Sequence, residues 1–140
     1  MKILITNDDG INAPGLTVAY EIAKEMTDIN NIFVISPTNE QSGVSHSTSY
    51  IRPCMIEEVS QNKFSLEGTP ADCVLAGLTY LLKNSPPDLV ISGVNKGHNI
   101  AEDIVYSGTV GAALEASLHG FKSLSLSQYY SKESLRNNTV

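Results

Sequence analysis

MKILITNDDG, residues 1–10, opens the chain with an apolar run, Ile3-Leu4-Ile5, that stops at Asn7, two adjacent carboxylates, Asp8 and Asp9, and Gly10. A β-rich run ending in Asp-Asp-Gly predicts a buried strand that delivers two negative charges to the edge of a sheet. Two like charges this close repel unless one is protonated or a cation lies between them. Two readings are open. The pair can cap a turn or helix after the strand, or it can ligate a divalent metal. In the second case hard oxygen donors favour Mg2+, Mn2+ or Ca2+ over zinc, and no Cys/His set competes nearby.

Outward from this strand, Leu16, Ala19, Ile22, Ala23 and Met26 recur at helical spacing and predict an amphipathic helix over 15–27. Ile32-Phe33-Val34-Ile35 is a second buried strand, stopped by Ser36-Pro37. Strand, helix, strand makes a βαβ unit with a parallel pair. Residues 50–58 and 63–67, split by Ser60-Gln61-Asn62, read as a hairpin. Thr69-Pro70-Ala71-Asp72 reads as a helix start, with Val74, Leu75, Leu78, Leu81 and Leu82 as the buried face. Leu89-Val90-Ile91 is the next strand, ending at Ser92-Gly93. A helix follows, capped by Ser107 and closed by Gly120, and Leu124 and Leu126 share one side of a last short strand. The pattern predicts a doubly wound α/β fold with a mainly parallel sheet. Such sheets bind ligands outside the carboxyl ends of their strands. Asp8-Asp9, Ser42-Gly43 and Asn95-Lys96-Gly97 all follow strands.

The chain has 140 residues, 41% of them apolar, enough for one domain with a core. The net charge of -6 argues against a nucleic-acid polymer as main ligand, although a single phosphate ester is still allowed. No stretch approaches the ~18 apolar residues of a membrane span. Met1-Lys2 leads straight into a strand without a signal peptide, and Cys54 and Cys73 have no metal or redox spacing, so the expected compartment is the cytoplasm.

The remaining chemistry lies in three loops. Gln41-Ser42-Gly43-Val44-Ser45-His46-Ser47 is a serine-rich loop, and a serine hydroxyl ligates a metal only where stronger ligands already hold it. Ser92-Gly93-Val94-Asn95-Lys96-Gly97-His98-Asn99 has the pattern G-x-N-x-G-x-N. It is either an ordinary Gly/Asn turn or a place where amide oxygens meet a hard cation and amide NH2 groups meet phosphate. Tyr106-Ser107-Gly108-Thr109-Val110-Gly111 opens a helix whose hydroxyls and N–H groups suit an anion; Ser107 can cap the helix and face a ligand as well. Lys96 is either a phosphate donor or simply exposed. No His–carboxylate relay is apparent beside Ser42 or Ser107.

Taken together, ILITNDDG at 3–10, SGVSHS at 42–47, GTPADCV at 68–74, PDLVISGVNKGHN at 87–99 and YSGTVGAALEA at 106–116 resemble the survival protein SurE family, over 1–127 and in the family's order. The resemblance implies a Rossmann-like three-layer α/β sandwich and a metal-dependent 5′/3′-nucleotidase acting on nucleoside monophosphates. It implies one divalent cation per subunit, Mg2+ or Mn2+, held by Asp8, Asp9, Ser42 and Asn95. Substrate-binding positions map to Asn99, Ser107, Gly108 and Thr109, in a cytoplasmic homodimer or homotetramer. Residues 1–127 are then a nucleotidase core, incomplete on its C-terminal side, and 128–140 an irregular tail. The expected reaction is phosphomonoester hydrolysis, in which either a metal-bound water attacks in line or an Asp8 oxygen assists that water as base. Two rivals stand beside it. One is an inactive metal- or nucleotide-binding remnant. The other is a phosphatase of the haloacid-dehalogenase kind, whose D-x-D-G motif would need a nucleophile where this chain has Asn7.

Overall fold

Ile3–Thr6 forms β1, and all four of its residues are buried, as a strand covered on both faces must be. A computed structural model describes residues 1–129 of the chain. After β1 come α1 (Pro14–Lys24), β2 (Ile32–Pro37), β3 (Ile56–Ser60), β4 (Lys63–Leu66), α2 (Pro70–Ala76), β5 (Leu89–Lys96), α3 (Asp103–Tyr106), α4 (Gly108–Leu118) and β6 (Ser123–Gln128). The six strands of the described residues form one sheet in the order β3-β4-β2-β1-β5-β6. Among the strands of the described residues only the β3–β4 pair is antiparallel; the other pairs are parallel. This is the α/β, Rossmann-like arrangement expected.

Side-chain alternation along β1 divides the core into two layers. Ile3 and Ile5 pack with Leu16, Ala19 and Ala23 of α1. Leu4 points the other way, among Cys73 and Val74 of α2 and Ala112 and Ala116 of α4. Thr69 closes a capping box at the start of α2, its hydroxyl accepting from the Asp72 N–H while the Asp72 carboxylate accepts from the Thr69 N–H. Gly120, at φ +83°, follows the end of α4 as anticipated.

The structure departs from the sequence reading in four places. Ile22 and Met26 are exposed, because the face α1 turns to the sheet is Gly15, Leu16, Ala19 and Ala23. Ser36-Pro37 does not stop β2 but pairs with Ser65-Leu66 of β4. Residues 50–55 are not strand, and Tyr50 and Ile51 stand in solvent. Finally, β5 runs through Ser92-Gly93 to Lys96. The chain bulges after Ser92 and then resumes pairing, Asn95 with Ser127 and Lys96 with Gln128. Gly93 permits this, with φ +136° and the Leu126 carbonyl oxygen only 2.3 Å from where a Cβ would stand. Cys54 and Cys73 are free thiols. Among the described residues, no helix is long and apolar enough to cross a membrane. The tail expected over 128–140 begins inside β6, and beyond Tyr129 it lies outside the described residues.

Candidate active site

The carboxyl end of β1 turns sharply, and Asn7 makes the turn. Its side chain is fully buried; the amide oxygen accepts from the Gly10 N–H at 3.1 Å, and the NH2 donates to the Gly10 carbonyl at 3.0 Å. The Ser36 hydroxyl, on the neighbouring strand, donates to the same oxygen. Asp8 and Asp9 therefore sit at the apex of a clamped loop. Asn7 is spent on this clamp, so it offers nothing to an aspartyl-phosphate mechanism.

Asp8 is 5% exposed and faces the start of α4. The Thr109 hydroxyl donates to Asp8 Oδ1 at 2.6 Å across 101 residues of sequence. Gly108 allows the approach, since a Cβ there would lie 3.0 Å from Asp8 Cβ. Burial pushes the Asp8 carboxyl above its ordinary value, opposed by the Thr109 hydrogen bond and reinforced by the charge of Asp9. Burial also raises Asp9, opposed by the Lys96 N–H, which donates to Asp9 Oδ2 at 2.9 Å, and reinforced by the charge of Glu40. The two strand-tip acids are thus partly desolvated neighbours, an arrangement that a cation between them would relieve.

The other anticipated residues are each held by contacts of their own. The loop after β2 is held to the site by its backbone, the Gln41 N–H donating to the Asp8 carbonyl at 2.7 Å. Ser42, exposed one residue later, donates its hydroxyl to Glu40 Oε1 at 2.7 Å. Asn95, on the last turn of pleat in β5, donates its NH2 to the Gly97 carbonyl at 3.0 Å, which leaves the amide oxygen as the end to offer a ligand. Asn99 is tied to β6, donating to the Ser127 hydroxyl at 2.7 Å. Ser107 is buried and caps α4, its hydroxyl accepting from the Val110 N–H at 3.2 Å. Thr109 is fully buried and its hydroxyl is committed to Asp8. Among the described residues no three Asp, Glu, His or Cys side chains are grouped to hold a metal. The oxygens that could hold one here are two carboxylates, an amide and a hydroxyl, all hard donors suited to Mg2+ or Mn2+.

Two residues that sequence reasoning passed over matter here. Glu40 bonds Ser42 and its charge reaches Asp9. Its place two residues before Ser42, after a strand, was the available signal. The second is Glu115 on α4, whose carboxylate accepts from His46 Nε2, a pair bonded to neither the Ser42 nor the Ser107 hydroxyl. The partners are 69 residues apart, so no local spacing announces them. A cavity of about 400 Å3 between α1 and the β3–β4 turn, lined by Leu16, Tyr20, Ile29 and Asn62 among others, contains none of these residues. A smaller polar cleft of about 340 Å3 lies beside them, lined by Asn39, Gln41, Glu67 and Thr69 among others.

Comparison with known proteins shows where this geometry belongs. The family model for survival protein SurE matches residues 3–139. The chain belongs to the SurE family. A 5′-nucleotidase SurE of Roseobacter denitrificans is 54% identical over 141 residues, covering 100% of this chain and 53% of that protein. A 5′-nucleotidase SurE of Jannaschia sp. is 56% identical over 131 residues, covering 93% and 50%. The crystal structure of the SurE protein from Aquifex aeolicus superposes with a TM-score of 0.87 at 36% identity, covering 94% of this chain and 52% of that one. The chain therefore spans about half the length of the SurE proteins it matches.

Proposed function

We propose that the protein is a metal-dependent phosphomonoesterase that hydrolyses nucleoside 5′-monophosphates, and 3′-monophosphates, to nucleoside and phosphate. The observation that supports it most is the pair of partly desolvated carboxylates, Asp8 bonded by Thr109 in the first turn of α4 and Asp9 by the Lys96 N–H of β5. Asp8, Asp9, Ser42 and Asn95 are the residues proposed to hold the cation, Mg2+ or Mn2+. When bound, it supplies positive charge to the phosphoryl oxygens as the ester bond breaks. The residues of the chain do the rest. Thr109 fixes the Asp8 carboxylate through one oxygen, and the other takes the proton of a water attacking phosphorus in line. The positive end of α4, entered at Ser107 and Gly108, favours the phosphate dianion, and Asn99 holds the ester from the β5 side. The Ser42 hydroxyl is bonded to Glu40 rather than to an imidazole, which disfavours a serine nucleophile. A homodimer or homotetramer in the cytoplasm is proposed on the strength of the family.

The test is phosphate release from a panel of nucleotides with EDTA and with Mg2+, Mn2+, Ca2+ or Zn2+. Release in Mg2+ or Mn2+ that EDTA stops, and that Asp8→Asn and Asp9→Asn each abolish, is the expected result. Full activity in both variants refutes the assignment. Binding of Mn2+ and a nucleotide without release favours the inactive remnant, and trapping of a phospho-enzyme favours a covalent mechanism.

A further inference from the structure

A buried acid that the hydrolysis does not use sits on α4. Glu115 is 8% exposed, on a helix whose Ala112 and Ala116 fill the core. Each of its oxygens takes one histidine. Oε1 accepts from His119 at 3.0 Å, four residues along the same helix, and Oε2 accepts from His46 in the loop after β2. Two donors satisfy the carboxylate that burial would otherwise penalise. The two histidines do different things, however. His119 is local to α4, whereas His46 fastens α4 to the segment that carries Ser42.

The same segment is fixed around His46 by other contacts. The Ser45 N–H donates to the Tyr106 carbonyl at 3.0 Å and the Ser45 hydroxyl to the Val105 carbonyl at 2.7 Å. Gly111 gives it room, since a Cβ there would lie 2.4 Å from the Ser45 carbonyl oxygen and 2.9 Å from His46 Cα. On the other side, the Gln41 N–H is bonded to the Asp8 carbonyl. Between these anchors Ser42 and Gly43 are exposed, and nothing lies within 4 Å of a Cβ built on Gly43. The position of the Ser42 hydroxyl thus depends on where the two anchors hold the chain.

We propose that Glu115, acting through His46, is a positioning residue for the cation site: it sets where the Ser42 hydroxyl stands relative to Asp8 and Asp9. This rests on the assignment of those residues as metal ligands. Supports of this kind shift metal affinity without touching the ion. Mn2+ affinity, measured without substrate by the electron paramagnetic resonance of free Mn2+, tests it on the whole chain. His46→Ala and Glu115→Gln are each expected to weaken Mn2+ binding about tenfold. His119→Ala should weaken it less than His46→Ala. In a Ser42→Ala background, His46→Ala should cost nothing further, because both changes remove the same hydroxyl's contribution. His46 lies in a half-buried loop, so His46→Ala carries the test even if Glu115→Gln does not fold, and circular dichroism verifies each variant. Unchanged Mn2+ affinity in His46→Ala, an equal loss in His119→Ala, or an undiminished loss in the Ser42→Ala background overturns the inference. Failure of the metal assignment itself looks different: Asp9→Asn would then bind Mn2+ as the unsubstituted chain does.

Discussion

At the scale of single residues, the site depends on side chains that hold other side chains. Thr109 is the clearest case. Its hydroxyl is buried and bonded to Asp8, so it orients the acid that the proposed chemistry needs. Thr109→Val keeps the shape and removes the hydrogen bond. The expected cost is about 1.4 kcal/mol, or about tenfold in kcat/KM with Mn2+ present, read by steady-state phosphate release. Asp72 makes a second prediction, about stability. Burial pushes its carboxyl up, but hydrogen bonds from the Ser49 N–H and hydroxyl and from the Thr69 N–H outweigh it and hold the group below its ordinary 3.8. A lowered folded value means that the ionised form favours the fold. The contribution is present above pH 3.8 and is lost as pH falls through the lower folded value. Asp72→Asn should therefore cost about 1–2 kcal/mol at neutral pH by urea unfolding, with the gap closing in acid. Asp8, Asp9 and the Thr69-Pro70-Ala71-Asp72 start were legible in the sequence because each sits at a strand end or helix cap, where local rules apply. Glu115 was not, because a charge in a helix reads as solvent-facing until a distant histidine is known to meet it.

At the scale of elements, the strand order puts three loops at one edge, and β5 contributes most by continuing past its bulge. Without that continuation Asn95 would hang in a loop and the Lys96 N–H would not reach Asp9. Sequence reading ended the strand at Gly93, since glycine ordinarily punctuates a strand and nothing nearby in the chain foretells pairing with residues 127 and 128. The agreement over the apolar runs of β1 and β2 and the starts of α2 and α4 has a physical reason. Buried parallel strands read as unbroken apolar runs, and helix starts carry their caps, so both are local signals. Gly93→Ala tests the bulge. A methyl group would meet the Leu126 carbonyl oxygen at 2.3 Å, in a backbone region hostile to alanine. The expected loss is about 2–3 kcal/mol in urea unfolding, together with weaker Mn2+ binding as Asn95 and Lys96 shift.

At the scale of the whole molecule, the site couples function to stability. Asp8 and Asp9 are held partly away from water with raised carboxyls, so without a cation the fold carries two disfavoured charges at the tip of its central strand. A ligand that binds only the folded chain stabilises it by mass action, about 2.7 kcal/mol at a hundred times its Kd. For a chain of this size that corresponds to about 5–10 °C in melting temperature. Thermal unfolding followed by circular dichroism, in EDTA and then across a Mn2+ titration, should show this rise saturating with concentration. Asp9→Asn should remove the response while melting no lower than the unsubstituted chain in EDTA, because an amide in that place carries no buried charge. The combination separates loss of a cation site from loss of the fold. A variant that melts lower in EDTA but still rises with Mn2+ would mean that the acid serves the structure and that the cation is held elsewhere.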